Sequence, residues 1–170
     1  GLQVFPHPSE LVSDPGDVPD PAGEEERMPV PWVVRKHADR ALLLVTRRCH
    51  LHCRYCFRRD LDGPSDPSKL EMDEAVSYLR QCGVHEVILS GGDPLILRTD
   101  HLAQIIDSLR PDVPMIRIHS RAPITFPERV DAALVDMLQQ RLPVWMVVHI
   151  NHPDELSDEV CSGLLRLVDG

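Results

Sequence analysis

Aromatic residues are scarce in this sequence: three Phe, two Tyr and two Trp among 170 residues, or 4%. No aromatic ladder accompanies the positive charge, which disfavours a broad nucleic-acid face. No run approaches the roughly 18 consecutive apolar residues of a membrane span. The opening GLQVFPHPSELVSDPG has no basic region followed by an apolar stretch, so no secretion signal is expected. There are only two lysines, Lys36 and Lys69, and only one C-x2-C spacing. The chain begins with Gly1 and stops at LVDG, and is expected to be a piece of a longer protein. Otherwise the composition is ordinary, with 42% hydrophobic and 26% charged residues. That length suits one core and is short for two.

The net charge of -9 is unevenly spread. Residues 1–31 hold seven acids (Glu10, Asp14, Asp17, Asp20, Glu24, Glu25 and Glu26), one base, Arg27, and seven of the sixteen prolines. Such a segment has little to bury, so residues 1–34 are expected to form an extended or disordered arm ahead of a core over 35–170. From Arg35 to Arg59 the balance reverses: Arg35, Lys36, Arg40, Arg47, Arg48, Arg54, Arg58 and Arg59 stand against Asp39 alone. A concentrated basic segment in an acidic chain suggests a site for small anions.

Beyond the arm, short apolar runs alternate with helical periodicity. Strands are expected at Ala41–Thr46, Glu86–Ser90, Pro114–His119 and Val144–Ile150. Helices are expected at Leu70–Cys82, Asp100–Arg110 with Thr99 as N-cap, Pro127–Gln139 and Ser157–Leu167. The spacing of about 30 residues between later strands is that of βαβ units. The predicted class is α/β with a parallel sheet of about four βα units, either open or part of a barrel. Its chemistry belongs at the C-terminal strand ends.

Two of those ends stand out. After the first strand, Cys49, Cys53 and Cys56 form C-x3-C-x2-C. Three thiolates on one loop can hold three corners of an iron–sulfur cube and leave one iron open. The alternative is a zinc knuckle completed by His50 or His52, although zinc ribbons usually pair two C-x2-C knuckles. Cys82 and Cys161, in helical context, read as small core residues. After the second strand comes Gly91-Gly92-Asp93-Pro94. Two glycines let a ligand approach the backbone, and Asp93 can accept hydrogen bonds from an ammonium group; a plain tight turn is the simpler alternative. Trp145, on an apolar strand, reads as core.

Together CHLHCRYCFRR, ILSGGDPL, IRIHSRAPI and HINHPDE resemble the lysine 2,3-aminomutase branch of the radical S-adenosylmethionine (SAM) enzymes. The wording RYCFRR, RIHSR and HINH is most similar to members that make β-lysine for elongation factor P. The resemblance implies a partial (β/α)6 barrel of the TIM-like radical SAM type. It further implies that Cys49, Cys53 and Cys56 hold a [4Fe–4S] cluster whose open iron chelates S-adenosyl-L-methionine. One electron would then cleave SAM to a 5′-deoxyadenosyl radical. Gly91, Gly92 and Asp93 match the turn receiving the methionyl amino end, and Arg58 matches the arginine pairing with the carboxylate of substrate lysine. Arg40 matches a position near pyridoxal 5′-phosphate.

The implied reaction moves the amino group of L-lysine from C2 to C3. The alternatives are a free-amino-acid 2,3-aminomutase of another specificity, and an inactive cluster-binding fragment. The expected partners are the amino acid and an electron donor for the cluster, with a homo-oligomer allowed, no direct nucleic acid and no membrane. The expected location is cytoplasmic. Pyridoxal phosphate needs a lysine anchor, which in the family comes later than either Lys36 or Lys69, so this chain alone is expected to form no Schiff base with it.

Overall fold

The computed structural model describes residues 3–5, 7–12, 14–58 and 64–169. A five-stranded sheet runs in the order β1 (Val33–Val34), β2 (Arg40–Thr46), β3 (Glu86–Gly91), β4 (Met115–Ser120) and β5 (Val144–Val148). The β1–β2 pair is antiparallel, and the β2–β3, β3–β4 and β4–β5 pairs are parallel. Parallel strands that follow one another in sequence order, without reversal, belong to a barrel wall rather than to a doubly wound sheet. The chain therefore has the α/β, partial TIM-like architecture expected of it.

Five helices link and follow these strands: α1 (Lys69–Gln81), α2 (Thr99–Leu109), α3 (Ala122–Thr125), α4 (Ala132–Gln139) and α5 (Asp158–Asp169). Helix α1 starts on a capping box in which Ser68 and Glu71 satisfy each other's backbone N–H. The core lies on one face of the sheet. Val87, Leu89, Ile116 and Ile118 point into it, and Leu79, Leu102, Ile106 and Leu134 meet them from the helices. On the opposite face Leu44 packs with Trp32 and Val34. That face also carries an ionic layer at its N-terminal end. Glu86, 5% exposed, lies 2.6 Å from Arg117 and 3.7 Å from Arg40.

Several expectations need correction. Thr99 is the first residue of α2 and not its cap; Arg98 holds the N-cap position without a side-chain hydrogen bond. The expected helix Pro127–Gln139 is broken into a 3-10 turn, Pro127–Arg129, and α4, because Asp131 caps a new start by accepting from the Leu134 N–H. The arm does not end at residue 34, since β1 pairs with β2 and Glu24, Trp32, Val33 and Val34 are buried. Trp145 is 61% exposed on β5, where no described element covers that face, and Cys161 is exposed on α5. Cys82 is half-buried against the core.

Trp32 is the one described non-glycine residue with positive φ, at 67°. Its ring is buried and lies 5.0 Å beneath the guanidinium of Arg47. A left-handed backbone costs a non-glycine residue about 1–3 kcal/mol, while emptying a buried Trp site costs about 3–5 kcal/mol. Packing therefore outweighs strain. Trp32→Ala should lose about 3–5 kcal/mol. Trp32→Gly should lose about 1 kcal/mol less, because glycine accepts this φ without strain. Thermal unfolding of the two variants checks this; a Gly variant less stable than the Ala variant would show that the backbone here is unstrained.

Candidate functional site

The turn after β3 is where the backbone is most crowded. Gly91 has φ +114°, and a Cβ there would lie 2.2 Å from the carbonyl oxygen of Thr46. A Cβ on Gly92 would lie 2.2 Å from the carbonyl oxygen of Arg48. Both glycines are thus required by the backbone of the cysteine-bearing loop itself. The Gly92 N–H donates to Thr46 O at 2.6 Å and the Asp93 N–H to Arg48 O at 2.8 Å. The two glycines let two loops of the protein touch, and the root of the cysteine loop is bolted to the end of β3.

Asp93 is 7% exposed and fully engaged. Its Oδ1 accepts from the Leu95 N–H at 3.0 Å and Ser120 Oγ at 2.7 Å. Its Oδ2 accepts from the N–H groups of Arg121 and Ala122, each at 2.9 Å. An ionised carboxylate offers about four acceptor positions, and four donors are present. Asp93, expected to accept hydrogen bonds from a ligand ammonium, already accepts these four and ties the end of β3 to the start of α3.

A cavity of about 710 Å³ opens above the C-terminal strand ends. It is lined by Cys49, Cys53 and Cys56, by Gly91, Gly92 and Asp93, and by Arg47, Arg58, His119, Arg121 and His149 among others. This volume is within the usual range for small-molecule sites. All three thiols of the motif therefore face one space. Burial, followed by the negative fields of Asp93 and the other two thiols, pushes Cys49 up to about 12. Without a cation Cys49 keeps its proton; a bound metal would take that proton's place. Arg121, whose side chain is 10% exposed, donates from Nη1 to Cys53 Sγ and to Tyr55 Oη, each at 2.8 Å, and pairs with Glu155 at 2.6 Å. His119 has a buried Nε2 with no partner among the described residues, and burial lowers its pKa.

These residues fit an iron–sulfur cluster. Three sulfur donors share a loop, a guanidinium offsets thiolate charge, and an unpartnered ring nitrogen stands in the same cavity. Among the described residues no three Cys, His, Asp or Glu side chains converge closely enough for a single ion. A cube takes one thiolate per iron and does not need that convergence. His50 and His52 are exposed on the loop, with His50 stacked 4.8 Å from Phe126.

Covalent pyridoxal phosphate does not fit the lysines of this chain. Lys36 donates to the carbonyl of Ala22, Lys69 pairs with Asp73 at 2.5 Å on α1, and neither lines the cavity.

The remaining basic residues separate sharply. Arg58 lines the cavity, with its guanidinium paired with Glu24 at 2.6 Å. Arg40 does not. It starts β2 at the N-terminal end of the sheet, pairs with Asp39 at 3.3 Å and Glu86 at 3.7 Å, and is separated from the cavity by the length of the strand. Arg40, expected near a cofactor phosphate, thus stands at the opposite end of β2 from the cysteine loop. Arg48 pairs with Asp66, Arg54 with Glu10, and Arg35 with Tyr78 and nearby carbonyls, so the basic segment is largely neutralised by its neighbours. Arg59 lies outside the described residues. Asn151 and His152 are set back from the cavity: Asn151 bonds Gln3 and Tyr55, and His152 caps the turn Pro153–Glu155. Sequence reasoning missed Glu24, which carries no motif inside its acidic arm. It also missed Ser120, for which the only signal was its place after His119 at a strand end.

Residues 43–168 match the model of the Radical SAM superfamily. The chain is 40% identical over 172 residues to the L-lysine 2,3-aminomutase of Clostridium subterminale, covering 98% of this chain and 41% of that protein. It is 35% identical to the L-lysine 2,3-aminomutase of Bacillus subtilis (strain 168), covering 99% of this chain and 37% of the relative. A glutamate 2,3-aminomutase from Clostridioides difficile is also 35% identical, covering 96% and 40%. The chain thus spans about two-fifths of the length of these curated relatives. With a sequential parallel barrel wall, three cysteines on the loop after its first parallel strand and this similarity along nearly its whole length, the chain belongs to the radical SAM superfamily, with its likeness there to the lysine 2,3-aminomutases.

Proposed function

We propose that this chain is the cluster- and SAM-binding part of an amino acid 2,3-aminomutase that acts on L-lysine. The observation that carries the reading is that Cys49, Cys53 and Cys56 face one cavity with Gly91 and Gly92 at the C-terminal strand ends. In this reading the three cysteines hold a [4Fe–4S] cluster, and the backbone of Gly91-Gly92 borders the place of the methionyl end of SAM. Asp93 takes no ligand and keeps that backbone in position. Arg58 offers N–H donors to the carboxylate of the amino acid. When bound, the cluster supplies the electron for reductive cleavage of SAM, and pyridoxal phosphate, anchored by none of this chain's lysines, supplies the carbonyl that engages the substrate amine.

Lysine is preferred over glutamate because two of the relatives named are lysine enzymes and the wording RYCFRR, RIHSR and HINH resembles that subgroup. The same wording supports lysine destined for elongation factor P as the finer reading. A reducing, cytoplasmic setting suits five free cysteines. Among the described residues no helix is long and apolar enough to cross a membrane.

Two outcomes test this. After anaerobic reconstitution the protein should hold about four irons per chain, with the broad brown absorbance lost in Cys53→Ala. Stoichiometric zinc without iron would remove the cluster. The full-length protein with reductant and SAM should release 5′-deoxyadenosine and convert lysine, but not glutamate, to its β isomer. Conversion of glutamate alone would keep the reaction and replace the substrate.

A further inference from the structure

We infer that Glu24, from the acidic segment ahead of the barrel, is the positioning residue of Arg58; this rests on the reading of Arg58 as the contact for an amino acid carboxylate. Glu24 is 4% exposed, and the side chain of Arg58 is 14% exposed. Glu24 Oε2 accepts from Arg58 Nε at 2.7 Å and Oε1 from Nη2 at 2.6 Å, a side-on bidentate pair. Arg58 Nη1 donates to Ser90 Oγ at 3.2 Å and to the Gly91 carbonyl at 3.1 Å, and the ring of Phe57 lies 4.8 Å from the guanidinium. A guanidinium has five N–H groups. Among the described residues four find partners, and one on Nη2 remains.

The decisive point is where the two partners stand. Arg58 lines the cavity and Glu24 does not. Glu24 therefore lies behind the guanidinium and does not occupy the place of a ligand. A free arginine samples many rotamers and offers its fork in any direction. This one is held on three sides, so its remaining donor and its positive charge have a fixed aim. The fixed geometry also revises the contact. A ligand carboxylate meets one oriented N–H of a guanidinium whose charge is already paired with Glu24, and not an open two-pronged fork.

The test uses the full-length reconstituted protein. Glu24→Gln keeps the shape, removes the charge and turns an N–H donor toward the guanidinium. KM for lysine should rise roughly tenfold, the order of a lost charge-assisted contact. Iron content and the release of 5′-deoxyadenosine in the absence of lysine should hold, and Glu24→Asp should recover part of the loss. In a cycle with Arg58→Lys the two effects on KM should be strongly non-additive. A lower KM in Glu24→Gln would mean that Glu24 competes with the ligand carboxylate. Additive effects, or equal loss of iron in the Gln and Asp variants, would reduce Glu24 to a structural role. Either result overturns the inference. A second readout needs no substrate: in protein labelled with 15N-arginine, the Arg58 Nε–H should exchange at least about tenfold faster in Glu24→Gln. Unchanged exchange defeats the inference whatever the enzyme acts on. Faster exchange in a protein that does not convert lysine retains the pairing and defeats only the substrate assignment.

Discussion

Two carbonyl oxygens, those of Thr46 and Arg48, govern how this site is built. Each accepts an N–H from the turn after β3, and each lies where a Cβ on Gly91 or Gly92 would have to be. The contact joins the first parallel strand to the second at the point where the chain leaves the sheet to carry three cysteines. From there Asp93 passes the connection to the third strand and to the first turn of α3, and Arg58 returns to the Gly91 carbonyl from beyond the last cysteine. Loop, turn and strand ends thereby become one hydrogen-bonded unit around the cavity. A ligand loop attached only at its ends would lose conformational entropy on binding a cluster; one bolted at its root has given up much of that freedom on folding.

The electrostatics of the cavity follow from the same economy. The sequence puts eight bases into 25 residues, yet few remain free to meet an anion. Glu24, Asp66 and Glu10 each take one, all from segments outside the basic stretch. A buried ion pair seldom adds much net stability, because desolvation offsets attraction. Its use here is directional. Arg58 and Arg121 are held with defined N–H groups toward the cavity, the second of them on Cys53. Burial and the neighbouring negative groups hold the proton on Cys49 until a cation arrives.

The parallel sheet was readable because β2 and β3 are largely buried on both faces and leave continuous apolar runs, ALLLVT and EVILS. The cysteine spacing was readable because three cysteines sit within eight residues. What escaped is what depends on distant partners. Asp93 looked like a ligand because nothing local shows that Ser120, Arg121 and Ala122 will saturate it. Gly91 and Gly92 were expected to admit a ligand, and their neighbours prove to be backbone carbonyls. Trp145 read as core because the strand pattern does not reveal that its face stays uncovered. Glu24 and Trp32 sit in a proline-rich acidic stretch whose composition argues for disorder, and their burial comes from a barrel that the stretch itself does not encode.

The account makes the two glycines structural requirements of the cysteine loop. Its most direct test is the iron content of Gly91→Ala after anaerobic reconstitution, with far-UV circular dichroism as the check on folding. Gly91 supplies no ligand, yet its new Cβ meets the Thr46 carbonyl, so iron should fall to a small fraction of the wild-type amount while the secondary structure persists. Full iron, with only the binding of SAM weakened, would contradict the account and return the turn to a purely ligand-facing role.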